Sequence, residues 1–232
     1  ALPLIGALLA LVWPGRAGSI AMAAVAAAMA AALGLLAAVA EQGRLVYALG
    51  GWEPGLGIAL RADGLSAALL AMSALVALAA TVYAGGYFTP GPKRDGFWPL
   101  WLLLITALHA LLLSGDLFNL YVTLELLGLS AVALAAHGGT AAALRAALRY
   151  LTLGLLGSLA FLAGVTLVYA AYGTLDMAAL ARVMGPQAAS WTALALMSGG
   201  LALKAALFPL HLWLPPAHAN APAPVSAALS AL

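Results

Sequence analysis

The sequence predicts an all-α fold, a polytopic transmembrane helix bundle, and three observations predict it. Apolar residues make up 66% of the chain and charged residues only 7%, where a soluble domain carries about 25% charged residues. Mean hydropathy is accordingly high, at +1.09. The apolar residues fall into runs close to the roughly 20 residues a helix needs to cross hydrocarbon, and Pro, Gly and charge gather between the runs. The same composition excludes other classes. A formal net charge of +2 leaves no basic face for nucleic acid. With no cysteine there are no disulfides, thiolate nucleophiles or cysteine-held iron–sulfur clusters, so any redox chemistry belongs to a different subunit.

Leu2 to Trp13 is the first apolar run. It has the length of a signal-peptide core, but Trp13-Pro14 is a poor small-residue cleavage site, so a short first membrane helix is expected. Pro14-Gly15-Arg16 turns the chain into a second helix, Ala17 to Ala40. Residues 41–63 form the longest polar stretch, in which Gly51 to Asp63, with its Pro-Gly turn and short alternation, predicts a hairpin on the membrane surface. A third helix covers Gly64 to Phe88 and is closed by the polar segment 89–95; a fourth covers Phe97 to Leu113. The three-residue turn Ser114-Gly115-Asp116 makes the fourth helix and the fifth, Leu117 to Ala136, antiparallel neighbours. Asp116 and Asn119 are placed to cap the fifth helix, where a carboxylate suits the positive helix end.

His137-Gly138-Gly139 ends the fifth helix. The sixth runs from Ala141 to Tyr172, with Arg145 and Arg149 as interfacial anchors at its start. Residues 173–189 connect, with a short interfacial helix in LDMAALARVM. The seventh helix covers Ser190 to Leu214, broken near Pro209; residues 215–222 read as a loop, and an eighth helix begins at about Pro224. The organisation is therefore 1–96, with three helices and a polar loop, followed by 97–232, with helices four to eight. Lys and Arg divide five to three between alternate loops (Arg16, Lys93, Arg94, Arg145, Arg149 against Arg44, Arg61, Arg182), which puts the N-terminus outside and the loop after the third helix in the cytoplasm.

Two charges lie inside apolar runs. Lys204 sits in the seventh helix and Glu125 is the one acid in the middle of the fifth. A Lys at mid-bilayer costs roughly 2.5–3.5 kcal/mol, so such a residue is rare and usually has a partner. Paired, the two can carry protons or ions, or simply lock two helices together; Lys204 alone could also snorkel from a helix end. His211 lies seven residues beyond Lys204, on the same face of an unbroken helix, and titrates near neutral pH. Pro209 between them is either an ordinary kink or the break that exposes carbonyls to a cavity. His218 is a relay exit or a loop histidine, and His109, within the fourth helix, is a pathway residue or a hydrogen-bonding group of the bundle. His211 and His218 lack a third ligand, so no metal and no cofactor are expected. Gly-rich patches such as LTLGLLGSLAFLAG permit close helix packing.

GDLFNLYVTLELLGLSAVAL around Glu125, LALKAALFPLHLWLPPAHANAPAPVSAAL around Lys204 and DGLSAALLAM from Asp63 resemble the antiporter-like, proton-translocating membrane subunits shared by complex I, Mrp-type cation/proton antiporters and membrane-bound hydrogenases. The resemblance implies that Glu125 and Lys204 are the charged pair of the translocation path, that a hydrated axis of Lys, His and Glu crosses the protein, and that two inverted five-helix repeats exist, of which this sequence carries the first. It implies other membrane subunits, the lipid bilayer and protons as partners, with Na⁺ as a candidate coupled ion, and a multi-pass location in a bacterial inner membrane. The family's aspartate after Leu-Pro is Pro216 here, so that role does not carry over. A quinone-reducing membrane subunit and a structural subunit with a non-transporting ion pair are the rival expectations.

Overall fold

The computed structural model describes residues 1–51, 57–89 and 91–231, and its architecture is a helical bundle with one small hairpin. The helices are α1 (Leu2–Val12), α2 (Ala17–Gln42), α3 (Gly64–Tyr87), α4 (Pro92–Leu112), α5 (Leu117–Ala136), α6 (Ala141–Tyr172), α7 (Met177–Val183), α8 (Ala188–Lys204), α9 (Leu214–Asn220) and α10 (Ala223–Ala231). Among the described residues, five segments are long and apolar enough to cross a membrane: Pro14–Gln42, Gly64–Tyr87, Arg94–Leu112, Leu117–Ala136 and Ala141–Tyr172.

The core is built around α4. Its Phe97, Trp98, Trp101, Leu102 and Ile105 are fully enclosed by small residues such as Ala7, Ala10 and Ala21 of α1 and α2. Small side chains let the neighbouring backbones approach, while the aromatic rings of one helix fill the space between them. The Trp101 indole donates to Thr81 Oγ1 at 2.8 Å and so fixes α4 against α3. α3 itself starts on a reciprocal cap: Asp63 Oδ1 accepts from the Ser66 N–H at 2.9 Å, and Ser66 Oγ accepts from the Asp63 N–H at 2.8 Å.

Four sequence expectations are corrected. α4 starts at Pro92, five residues ahead of the predicted Phe97, because a proline costs nothing in a first turn whose N–H groups have no helical partner. The same reason makes 214–220 a helix, α9, where Pro215 and Pro216 had suggested a loop. The hairpin pairs β1 (Leu45–Ala48) with β2 (Ala59–Ala62), so its first strand lies upstream of Gly51; the predicted turn at 52–56 lies outside the described residues. Lys204 is the last residue of α8 rather than a mid-helix residue, and 205–213 is a run of turns in which Pro209 sits well past the helix end.

The hairpin is stitched to one face of the bundle. The Arg61 N–H donates to Leu113 O at 2.8 Å, the Gly115 N–H to Ala59 O at 2.9 Å and the Met177 N–H to Gly115 O at 3.1 Å. These bonds tie β2, the α4–α5 turn and the α6–α7 connection into one layer at the end of the bundle where α5 and α8 both begin.

Candidate functional site

α5, α6 and α8 each contribute one polar group to a common point. Lys204 Nζ lies 2.9 Å from Glu125 Oε1 and 3.4 Å from the Leu124 carbonyl. The Ser158 hydroxyl of α6 also donates to Glu125 Oε1. The side chains of Lys204 and Glu125 are 14% and 19% exposed, so the pair is mostly enclosed yet in reach of open space. That space is a cavity of about 300 Å³ whose walls include Glu125, Gly128, Tyr150, Gly154, Lys204 and Trp213.

The position of Lys204 follows from how α8 is held. α6 and α8 pack backbone to backbone through Gly157 and Gly200: a Cβ on Gly157 would lie 2.9 Å from Gly200 O, and one on Gly200 only 2.3 Å from Gly157 O. One turn later α8 stops. The carbonyls left unpaired at a helix end need partners when they are buried, and three of the last four find one here. The Ala205 N–H bonds Leu201 O at 2.7 Å, the Leu207 N–H bonds Ala202 O at 3.0 Å, and the Trp213 indole bonds Leu203 O at 3.0 Å. Ala206, at φ 52°, turns the chain away. Trp213 then stacks on Tyr150 at 4.2 Å and 12°. A cation on the last residue of a helix also faces the negative end of its dipole, which offsets part of the cost of placing Lys204 there.

The histidines stand apart from the pair. His211 stacks on Phe208, with ring centres 5.6 Å apart, and its Nδ1 is buried with no hydrogen-bond partner among the described residues. Because 205–213 is not helical, the seven-residue spacing does not put His211 on the face of Lys204. His109 Nε2, in α4, is likewise buried without a partner among the described residues. His218 Nδ1 lies 2.9 Å from Ser226 Oγ and ties α9 to α10. Among the described residues no group of three His, Cys, Asp or Glu side chains could hold a metal.

The sequence reading missed Ser158, Tyr150 and Trp213. Ser158 did leave a signal, as the one polar residue of α6 between Thr152 and Thr166; Tyr150 and Trp213 left none. A second polar cluster was missed as well. Arg61 of β2 pairs with the buried Asp176 ahead of α7. Asp116 caps α5 by accepting from the Asn119 N–H at 2.6 Å, while its Oδ2 is buried without a partner among the described residues. Burial pushes the Asp116 carboxyl above the ordinary carboxylate value. Burial acts upward on Asp176 too, but the Ala179 N–H and the Arg61 guanidinium outweigh it and hold that carboxyl below the ordinary value.

A family model described as NADH:quinone oxidoreductase/Mrp antiporter, TM, matches residues 114–232, the part that contains the whole α5–α6–α8 constellation. NADH-quinone oxidoreductase subunit N of Desulforudis audaxviator (strain MP104C) is 43% identical over 217 residues, covering 88% of this chain and 43% of the relative. The chain belongs to the NADH:quinone oxidoreductase/Mrp antiporter transmembrane family. Among solved structures, the membrane-bound sulfane sulfur reductase, an archaeal respiratory membrane complex, aligns with a TM-score of 0.92 at 34% identity over 97% of this chain and 48% of its own. The Mrp complex from Dietzia sp. DQ12-45-1b aligns with a TM-score of 0.85 at 32% identity over 100% of this chain and 46% of its own. The chain thus spans about half or less of the length of the relatives it matches. Family membership and five apolar spans together make it an integral, multi-pass membrane protein.

Proposed function

We propose that this chain is a proton-translocating, antiporter-like membrane subunit of a multisubunit complex, and that Glu125 and Lys204 form its central relay. The observation that carries the reading is the 2.9 Å contact between Lys204 Nζ and Glu125 Oε1, made at the end of an interrupted helix beside a cavity. A proton reaching Glu125 neutralises the carboxylate and removes the charge that holds Lys204. The freed ammonium then turns into the cavity, which has room for several waters at about 30 Å³ each, and passes a proton onward. His211 is the next titratable group along the chain and serves as a secondary relay; His218 and His109 extend the path on either side. The run of turns at 205–213, which includes Pro209, ends α8 at the lysine, as in transporters whose broken helices form ion sites.

The family's named members support the partners this reading requires: other membrane subunits, lipid and protons, with Na⁺ as a candidate coupled ion. They are also compatible with a bacterial inner membrane and with 97–232 as the first of two inverted repeats. The chain's own residues call for no cofactor.

The test is ion-driven pH change in vesicles holding the whole complex. Lys204→Ala and Glu125→Ala, compared with wild type at matched assembly, should each lower proton movement by about tenfold or more, the equivalent of 1.4 kcal/mol in the barrier. A double Glu125→Leu, Lys204→Met variant separates relay from lock. A buried pair that only locks helices can be replaced by an apolar pair without loss, so full transport by the double variant would refute the proposal.

A further inference from the structure

A groove on the opposite end of the molecule from the hairpin has a chemistry that the translocation path does not use. It lies between α2, α3 and the start of α4 and has a volume of about 470 Å³. One wall is apolar, formed by Met22, Ala23 and Ala26; Gly18 and Gly85 keep the rest open. A Cβ at Gly85 would meet nothing within 4 Å, so the space is not filled by a neighbouring side chain.

Arg94 and Trp98 both line this groove, and neither has an acceptor among the described residues. Trp98 is 1% exposed, yet its indole Nε1 has no hydrogen-bond partner among the described residues. That nitrogen points at Gly18, whose absent Cβ would stand 3.2 Å from it. A buried donor left unmatched loses its hydration without a replacement bond, so an occupant able to accept from it is favoured. Arg94, one helical turn earlier on α4, lies at the mouth of the groove and makes no ion pair among the described residues. Thr81 Oγ1, also in the wall, is already engaged: it accepts from Trp101 and donates to Ala77 O. The groove therefore offers a cation and a buried N–H one turn apart on α4, beside an apolar wall of α2.

We propose that this groove binds one anionic phospholipid. Its phosphate sits against the Arg94 guanidinium, a glycerol or ester oxygen accepts from Trp98 Nε1, and an acyl chain runs along Met22, Ala23 and Ala26. The loops on this side carry the larger share of Lys and Arg, which enriches anionic headgroups at that surface.

The experiment is native mass spectrometry of the purified full complex during graded delipidation, with phosphatidylglycerol, phosphatidylcholine or inorganic phosphate added back. One phosphatidylglycerol should be retained per subunit. Retention should weaken about tenfold in Arg94→Gln, the scale of one charge-assisted hydrogen bond, and by a smaller factor in Trp98→Phe, which keeps the ring. Gly85→Leu starts from a Cβ with nothing within 4 Å, projects a bulky side chain into the groove and should abolish retention, with thermal stability of the complex checking that the fold is intact. Equal retention of phosphatidylcholine, retention of phosphate alone, or unchanged lipid in Arg94→Gln and Gly85→Leu would overturn the site. So would a photo-crosslinker at the exposed Ser19 that captures protein in place of lipid in native membranes.

Discussion

Replacing Gly200 by alanine adds one methyl group and changes no charge, yet it should disable the relay. The methyl would stand 2.3 Å from Gly157 O and 3.0 Å from Phe161 N. Both are backbone atoms, which cannot rotate aside as a flexible side chain can. Restoring ordinary contact at 3.4 Å or more requires α6 and α8 to part by about 1 Å, and overpacking of this kind costs about 1–3 kcal/mol. Lys204 lies one turn beyond Gly200 on α8. If the separation is transmitted along the helix, the 2.9 Å contact with Glu125 lengthens to near 4 Å, the outer limit for an ion pair. The assay has two arms: thermal stability of the intact complex in detergent, and proton movement in vesicles at matched assembly. The expected result is a modest loss of stability with a loss of transport approaching that of Lys204→Ala. Unchanged stability would refute the packing argument. A clear loss of stability with full transport would refute the claim that the ion-pair distance governs the relay.

Ser158→Ala removes a hydrogen bond to Glu125 and should slow transport by about tenfold or more without affecting assembly, since one hydrogen bond to a charged group is worth about 1.5–3 kcal/mol; proton-flux measurements on assembled complex check it. Trp213→Phe keeps the stack on Tyr150 but leaves Leu203 O with one partner fewer, and should raise hydrogen exchange around residues 203–207 by about fivefold, corresponding to about 1 kcal/mol. Asp176, which is buried, and the half-buried Asp116 should behave oppositely. Asp176 is held below the ordinary value of 3.8, so it contributes stability above that value and loses it as the pH falls through its lowered one. Asp116 is raised above 3.8, so its stability falls as the pH climbs through the window between 3.8 and its raised value. At neutral pH, Asp176→Asn should accelerate amide exchange in the hairpin, while Asp116→Asn, which keeps the cap, should slow it or leave it unchanged.

The charged pair was legible in the sequence because a cation and an acid in apolar runs have few reasons to be there. The spans were legible for the same reason of contrast, as long apolar runs between short polar ones. The end of α8 was not. Pro209 is the obvious local breaker, but the helix stops five residues earlier, where the N–H groups of 205–207 and the Trp213 indole satisfy its last carbonyls. α9 was hidden by two prolines that look like loop residues and sit in a first helical turn. The hairpin was misplaced because LVYA is too short to show alternation; its second strand is tied to Leu113 and Gly115, far away in sequence.

The geometry of the pair bears on whether it locks or moves. A buried lock gains most when every donor and acceptor is satisfied and water is shut out, because the desolvation of two charges is repaid only by excellent geometry. Lys204 has three N–H donors, but its protein contacts are a single carboxylate oxygen and a long 3.4 Å approach to Leu124 O. Both charged side chains keep some exposure toward a cavity. Ser158 and Lys204 converge on the same oxygen, Oε1, so protonation there would disrupt both interactions at once. Lys204 is also the last helical residue before nine non-helical ones, which leaves its side chain anchored on one side only. These features weaken a lock and favour a switch, so a variant that completes the lock should be the more damaging one. Gly128 faces the lysine, with its absent Cβ 3.7 Å from Nζ. Gly128→Ser would place a hydroxyl acceptor there at little steric cost, and it should stabilise assembly while slowing proton movement; faster movement would argue that holding Lys204 is not what limits the relay.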